Sequence, residues 1–190
     1  MTATNLPEPA LSWSAILAGA AVALATSLFL TLLAAGFGVQ LAAGGPTSPG
    51  SLAAFTPEIG AGAIAVQVLS AGFGGYLAGR LRHAWPTAHA DEAHFRDTAQ
   101  GLISWAIATL AGLLLAALVL TPAAEHVAAS LGAPPATADP VRAGHILAQS
   151  AFFTAVGMIL AGFVAAVAGR LGGLRAEEMA GQAITLVVVE

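Results

Sequence analysis

The residues best suited to chemistry lie in one polar stretch, HAWPTAHADEAHFRDTAQG, at positions 83–101. Two imidazole and two carboxylate groups occur there within six positions, on His89, Asp91, Glu92 and His94. Imidazole and carboxylate are ligands for Zn, Fe or Mn. The spacing fits no ligand template, because His94 follows Glu92 by two positions and stands five from His89, so that the imidazoles diverge on a helix. We therefore predict no metal site in this stretch.

Haem binding and catalysis are also disfavoured by the positions of the polar residues. A four-helix membrane bundle holds haem between paired histidines inside its spans, but His83, His126 and His145 lie at the ends of apolar runs or in connections. No Ser-His-Asp set, carboxylate pair or phosphate-binding loop can be assembled. The absence of cysteine excludes disulfides and thiolate sites. We expect no enzyme activity, no cofactor and no nucleic-acid partner.

Ion pairing is the use that the polar stretch favours. Its acids stand close to the arginines that flank the neighbouring apolar runs. We expect a cytoplasmic cluster of ion pairs that ties the two halves of the chain together, made by Arg80, Arg82, Asp91, Glu92, Arg96, Asp97 and Arg170. Asp97 or Thr98, followed by Gln100, is also expected to cap the next helix, because such side chains accept hydrogen bonds from the free amides of a first turn.

The elements that would position these groups are membrane spans. Of the 190 residues, 57% are hydrophobic and 8% charged, whereas a soluble domain carries about 25% charged residues. Four apolar runs are each long enough to cross a hydrocarbon core of about 30 Å as helices, at about 14–41, 59–81, 102–120 and 146–171. The predicted fold is an all-α integral membrane four-helix bundle. It is one domain over 1–190 with a cytoplasmic tail at 172–190, whose final segment 184–190 has no assigned role.

The basic residues predict the orientation of the spans. All six are Arg, and only Arg142 falls on one side of the predicted membrane. The other five flank the middle connection or follow the fourth span: Arg80, Arg82, Arg96, Arg170 and Arg175. The positive-inside rule then puts both termini and the middle connection in the cytoplasm.

A repeated string indicates a duplicated hairpin. AGFGGYLAGRLR at 71–82 returns as AGFVAAVAGRLGGLR at 161–175, with Phe, Arg and Leu in one register, and SWSAILAG in the first span resembles SWAIATLAG in the third. We predict tandem copies at 12–82 and 104–171, related by a pseudo-twofold axis along the membrane normal. The alternative is convergent use of small and interfacial residues, since the tryptophans of both Ser-Trp pairs also suit an interfacial aromatic belt.

Small residues recur every four positions along the spans. Helices in lipid pack through such residues, because the hydrophobic effect does not press them together there. The positions expected to form the helix contacts are Ala71, Gly75, Gly79, Ala161, Ala165, Gly169, Gly19 and Gly112.

Charged residues are absent from the interior of the predicted spans, where Gln67 is the main polar exception. Ion-coupled transporters, proton relays and voltage sensors need intramembrane charges, so these classes are disfavoured. We expect a non-enzymatic protein that acts through helix packing, as an accessory subunit of a membrane complex or as a homo-oligomer. The alternative is a channel or facilitator for a small neutral or weakly polar solute.

Three segments, SWSAILAGAAVALA, GGYLAGRLR and DEAHFRDTAQGLISWAIAT, resemble a family of small proteobacterial membrane proteins that are usually called hypothetical or PhnA-like. The resemblance covers the first three spans and the middle connection, and extends more loosely to the fourth span. It implies a bacterial inner-membrane location and makes Asp91-Glu92 with Phe95-Arg96-Asp97 the cytoplasmic motif of the family. It implies no particular activity.

Overall fold

The chain is all-α wherever its structure is described. The computed structural model describes residues 11–43, 57–82, 89–130 and 140–189. These form the helices α1 (Trp13–Ala43), α2 (Pro57–Arg80), α3 (Ala90–Ser130) and α4 (Pro140–Val189). Each helix contains a segment long and apolar enough to cross a membrane, at Trp13–Ala34, Pro57–Arg80, Asp91–Leu118 and Ala148–Met179. The prediction of an all-α chain with four helices able to span a membrane is confirmed.

Large apolar side chains face outward and small ones face inward, which is the reverse of their arrangement in a soluble protein. Phe29, Leu110 and Phe163 are 63%, 68% and 69% exposed, whereas Ala78 and Ala161 are fully buried. Lipid solvates large side chains as well as a protein core does, so no free energy is lost by turning them outward. The small residues face inward, because they allow the helix backbones to approach one another.

The helix boundaries differ from the predicted spans at α3 and α4. α3 begins at Ala90 rather than near position 102, with Asp91 and Glu92 in its first turn, where carboxylates interact favourably with the helix dipole. α4 continues as one helix through the predicted tail to Val189. The residues after the fourth span include the strong helix formers Ala, Glu, Met and Gln, which explains the continuation.

The four helices do not contact one another equally. α2 packs against all three other helices, most extensively against α4, and α3 also packs against α1 and α4. Over the described residues α1 and α4 are not in contact. α2 and α3 therefore occupy the short diagonal of the bundle, and α1 and α4 stand on opposite sides of it.

The α2–α4 contact brings the two Ala-Gly strings together. Ala71, Ala161 and Ala165 form one buried cluster. A Cβ on Gly75 would overlap the carbonyl oxygen of Ala165, and a Cβ on Gly79 would overlap the carbonyl oxygen of Gly169. The backbones of the two helices are thus in direct contact over two turns.

α1 joins the bundle through a second group of small residues. A Cβ on Gly19 would overlap the carbonyl oxygen of Gly74 and would lie 2.7 Å from Oγ of Ser104, so α1, α2 and α3 meet at this point. Ala20, Ala23 and Ala108 form a buried cluster beside it. Gly112 differs from Gly19, because a Cβ there would meet only Cδ2 of Leu24, at 3.4 Å, which is ordinary contact.

The tryptophans of the two Ser-Trp pairs lie at different depths. Trp13 is the first residue of α1 and is 59% exposed. Trp105 follows Ser104, which is level with Gly19, and six residues of helix separate Gly19 from Trp13, or about 9 Å. Trp105 packs against the Ala71, Ala161 and Ala165 cluster. The expectation that both tryptophans belong to one interfacial belt is therefore wrong for Trp105.

Candidate functional site

A buried ion pair joins three helices at the end of the bundle where α2 ends and α3 begins. Arg82, just after α2, donates from Nη2 to Oδ2 of Asp97 in α3 at 3.0 Å, and its Nε is also paired with Oδ1. Each of these two side chains is 1% exposed. Nη2 of Arg82 also donates to Oε1 of Glu177 in α4 at 2.6 Å, and the Glu177 side chain is 46% exposed.

Two glycines of α4 create the space for this ion pair. A Cβ on Gly173 would overlap the Asp97 carboxylate, and a Cβ on Gly169 would lie 2.6 Å from the carbonyl oxygen of Asp97. α4 therefore lies directly on the backbone and side chain of Asp97. A buried charge without its partner costs about 3–5 kcal/mol, so Arg82 and Asp97 depend on each other for burial.

Several other members of the predicted ion-pair cluster have contacts of their own. Arg96 pairs with Glu92 one turn away on α3, and Arg80 donates to Sδ of Met179 at 3.4 Å. Asp91 and Arg170 are exposed. Of the predicted cluster, Arg82 and Asp97 are thus brought together in one buried pair, with Glu177 as a further partner of Arg82.

Glu177 was missed because it lies in the segment treated as a tail. A signal for it was present, since Gly169, Gly173 and Glu177 recur every four positions and so share one face of a helix. The prediction that Asp97 or Thr98 caps a helix is wrong, because α3 begins at Ala90 and both residues lie well inside it.

Two further polar side chains continue from Asp97 along the same face of α3. Gln100 and Ser104 are both 0% exposed, and their side-chain nitrogen and oxygen atoms have no hydrogen-bond partner among the described residues. A buried polar group without a partner costs about 1–3 kcal/mol. Such groups in native proteins commonly bind water or a ligand. We call Asp97, Gln100 and Ser104 the polar column.

A cavity of about 310 Å³ begins at Trp105, the residue after Ser104. It lies where α1 and α4 stand apart, and every helix contributes to its wall. Trp105 forms part of the wall and packs against Gly162, whose Cβ position is 3.3 Å from the ring. The lining residues are Ala23, Leu24, Ser27, Gln67, Ser70, Ala71, Trp105, Ala108, Thr109, Gly112, Leu113, Thr154 and Met158.

The polar groups of the cavity wall are mainly acceptors. The hydroxyls of Ser27, Ser70 and Thr109 donate to carbonyl oxygens of their own helices at 2.9, 2.7 and 2.9 Å. Their protons are committed, so their lone pairs remain for a guest molecule. Gln67 adds a side-chain amide to the wall. None of the described residues that line this cavity is charged.

The residues weighed for metal binding do not converge. Within the described ranges, no group of three or more His, Asp or Glu side chains is placed to hold a metal ion. His89, Asp91 and Glu92 are exposed at the start of α3. The polar column and the cavity are therefore the features in which function is sought.

No protein-family model, no curated protein and no solved structure matches this chain. The resemblance to small proteobacterial membrane proteins stays a prediction.

Proposed function

We propose that this protein is a non-enzymatic membrane facilitator that admits a small uncharged polar solute into its bundle. The observation that carries the proposal is the adjacency of two features. The cavity is walled by all four helices, and the polar column runs from Ser104, next to the cavity wall at Trp105, to the Arg82–Asp97 pair at the end of the bundle. Buried polar groups without partners are costly, so a role in passage accounts for them.

The chemistry of the wall selects the class of solute. Hydroxyl oxygens that are free only as acceptors suit a guest with O–H or N–H donors, such as a short polyol or urea. An ion would lose its hydration without gaining a counter-charge from the uncharged wall. The apolar face of Trp105 suits a guest with a carbon skeleton.

The ion pair closes the column at one end. Passage requires Arg82 to separate from Asp97, which by itself would leave two buried charges unpaired. Glu177 already accepts a hydrogen bond from Arg82, so it offers the guanidinium a second carboxylate during that movement. Because the Glu177 side chain is about half exposed, the movement takes Arg82 towards solvent.

Association with other chains has less support from the helix contacts. Gly75, Gly79 and Gly19 contact backbones of this same chain. These small-residue faces are therefore already used for contacts within one chain, and they give no evidence for a partner chain. A role as an accessory subunit or homo-oligomer stays a prediction, and a native mass well above 18.7 kDa in mild detergent would support it.

The duplication of one hairpin has partial support. Gly75 meets Ala165 and Gly79 meets Gly169, and these are equivalent positions of the two strings, as a twofold axis between α2 and α4 requires. The different depths of Trp13 and Trp105 depart from that symmetry. So does the contact of α2 with α3, which has no counterpart between α1 and α4 over the described residues.

The proposed location is the bacterial inner membrane with both termini in the cytoplasm. Contacts of Arg82 with Asp97 and Glu177 bring the end of α2, the start of α3 and the last part of α4 to one end of the bundle. We call this the Arg-rich end, since it also carries Arg80, Arg96, Arg170 and Arg175. Its position in the cytoplasm follows from the positive-inside rule.

Solute flux in liposomes tests the facilitator. Liposomes containing the protein are expected to take up glycerol or urea faster than empty liposomes, with no gain for potassium or choline. Gly112→Leu fills the cavity and is expected to abolish the gain, because its Cβ has only one neighbour, at ordinary contact distance. Gly62→Leu is the matched control, since a Cβ there meets no atom within 4 Å and Gly62 does not line the cavity.

Two outcomes would contradict the proposal. One is uptake of every tested polyol and amide at the rate of empty liposomes. The other is equal flux through the Gly112→Leu and Gly62→Leu variants, which would show that solute does not pass through the cavity.

A further inference from the structure

A groove on the outer surface of the bundle lies between α2 and α4 at the Arg-rich end. Its volume is about 380 Å³, and it is lined by Tyr76, Leu171, Leu174, Arg175 and Glu178. Leu171 is 53% exposed, so the groove presents apolar surface at the depth where the spans end. It is separate from the internal cavity and shares no lining residue with it.

Helix packing gives the groove a rigid frame. The four α4 residues that line it follow one another at intervals of three, one and three positions, which places them on one helix face. On the α2 side, a Cβ on Gly172 would overlap the carbonyl oxygen of Tyr76 and would lie 2.8 Å from the amide nitrogen of Arg80. The two helices are thus in backbone contact beside the groove.

The positive charge at the groove comes from Arg175, which lines it, and from Arg80 beside it, against one lining acid, Glu178. Arg175 pairs with Glu178 at 2.9 Å, but both side chains are more than half exposed, so this pair is weak and readily exchanged. Arg80 lies one turn beyond Tyr76 and donates to Sδ of Met179, a weak acceptor without charge. Among the described residues, no acid lies within ion-pair distance of Arg80.

The site has a charged part and an apolar part, and one kind of molecule matches both. Guanidinium groups bind phosphate through paired hydrogen bonds. Leu171, which is exposed, and Leu174, which is partly buried, suit an acyl chain, and a tyrosine at this depth has its hydroxyl near the lipid headgroups. Basic pockets between spans on the cytoplasmic side are a recurrent means of binding anionic headgroups.

We propose that this groove binds an anionic phospholipid, with Arg80 and Arg175 contacting the phosphate and Leu171 and Leu174 contacting an acyl chain. The Tyr76 hydroxyl donates a hydrogen bond to the phosphate or to an ester oxygen. Arg175 exchanges Glu178 for the phosphate on binding. The site does not depend on passage of a solute through the internal cavity.

Lipid retention by the purified full-length protein tests the site. Native mass spectrometry in mild detergent is carried out with added phosphatidylglycerol or phosphatidylcholine. The wild type is expected to retain phosphatidylglycerol preferentially. The double variant Arg80→Gln/Arg175→Gln is expected to retain it at least about tenfold more weakly, because it loses charge-assisted hydrogen bonds. Glu178→Gln is expected to retain it more strongly, since it removes the competing carboxylate.

Arg96→Gln is the matched control, because Arg96 pairs with Glu92 on α3 and does not line the groove. It is expected to behave like the wild type. A thermal transition measured without added lipid shows that each variant is folded. If the double variant has lost its fold, Arg175→Gln alone decides the result, since Arg175 is exposed and its loss leaves the packing intact.

Three results would overturn the assignment. The first is equal retention of phosphatidylglycerol and phosphatidylcholine by the wild type. The second is unchanged retention of phosphatidylglycerol by the Arg175 variants. The third is displacement of the lipid by inorganic phosphate or glycerol phosphate at equal concentration, which would make the site one for free phosphate rather than for a membrane lipid.

Discussion

Gly173 in α4 lies so close to Asp97 in α3 that a Cβ on the glycine would overlap the carboxylate of the acid. The same carboxylate is paired with Arg82 from the end of α2. A position without a side chain on one helix therefore makes it possible for a charged pair to be buried between two others.

Gly173→Ala is expected to lower the free energy of unfolding by about 1–3 kcal/mol, because the added methyl group displaces the Asp97 carboxylate or separates α4 from α3. Gly181→Ala in the same helix is the matched control, since a Cβ there meets no atom within 4 Å. Unfolding by SDS in mixed micelles measures both variants. Equal stability of the two would contradict the contact.

Gly79→Ala is expected to be destabilising by a similar amount, about 1–3 kcal/mol, because its methyl group would overlap the backbone of Gly169. Gly62→Ala, also in α2, has open space for its Cβ and is expected to be neutral or to stabilise by up to about 1 kcal/mol. The same SDS titration compares them. A Gly79→Ala protein as stable as Gly62→Ala would show that α2 and α4 are not in backbone contact.

Arg82→Met is expected to cost about 3–5 kcal/mol, because it leaves the Asp97 carboxylate buried without its partner. The double variant Arg82→Met/Asp97→Leu is expected to recover much of that loss, since no buried charge remains. Glu178→Gln, which breaks an exposed pair, is expected to change stability by less than about 1 kcal/mol. A double-mutant cycle measures the coupling, and purely additive losses would refute it.

Because the chain has no cysteine, a single introduced cysteine is the one thiol that a maleimide can label, and its labelling reports the orientation of the chain. Asp91→Cys at the exposed start of α3 is expected to react with a membrane-impermeant maleimide only after the membrane is permeabilised. Ser51→Cys is the control in the predicted outer connection, outside the described residues, and is expected to react in intact cells. Labelling of Asp91→Cys in intact cells would reverse the proposed topology.

The spans and the positions of their packing faces follow from simple physical rules. Lipid requires long apolar helices, and small residues four positions apart, such as Gly75 and Gly79, must share one face. These rules predict that the two Ala-Gly strings lie on packing faces. They do not predict which face meets which, and that choice is visible only in the contacts of Gly79 with Gly169 and of Gly19 with Gly74.

The candidate site was harder to predict, because it depends on relative helix depth. The Ser-Trp pairs look equivalent in sequence, yet α1 is placed so that Gly19 rather than Trp13 is level with Ser104. Because of this offset in depth, Trp105 lines the cavity. The cavity itself arises from the separation of α1 and α4, and no local pattern in the chain encodes that distance.

A substitution at Gln100 distinguishes a structural role of the polar column from a role in the passage of a solute. Its amide is fully buried and has no partner among the described residues. If the amide serves only the fold, through buried water or through residues outside the described ranges, its removal lowers stability because that hydrogen bond is lost. If it serves a passing solute, burying the amide lowers the free energy of unfolding, because no hydrogen bond compensates its desolvation. An apolar side chain of similar size then removes this desolvation cost.

Gln100→Leu is therefore expected to keep or raise the free energy of unfolding, by up to about 1–3 kcal/mol, while glycerol or urea flux falls. Ser104→Ala is expected to act in the same direction with a smaller effect, because it removes a single hydroxyl. Gln149→Leu is the matched control, since that side chain is exposed on α4 and its loss is expected to leave flux unchanged. SDS titration and liposome uptake measured on the same preparations give both quantities. A Gln100→Leu protein with lower stability and unchanged flux would assign the polar column to the fold and remove it from the path, because the loss of a group that binds the passing solute must change the flux.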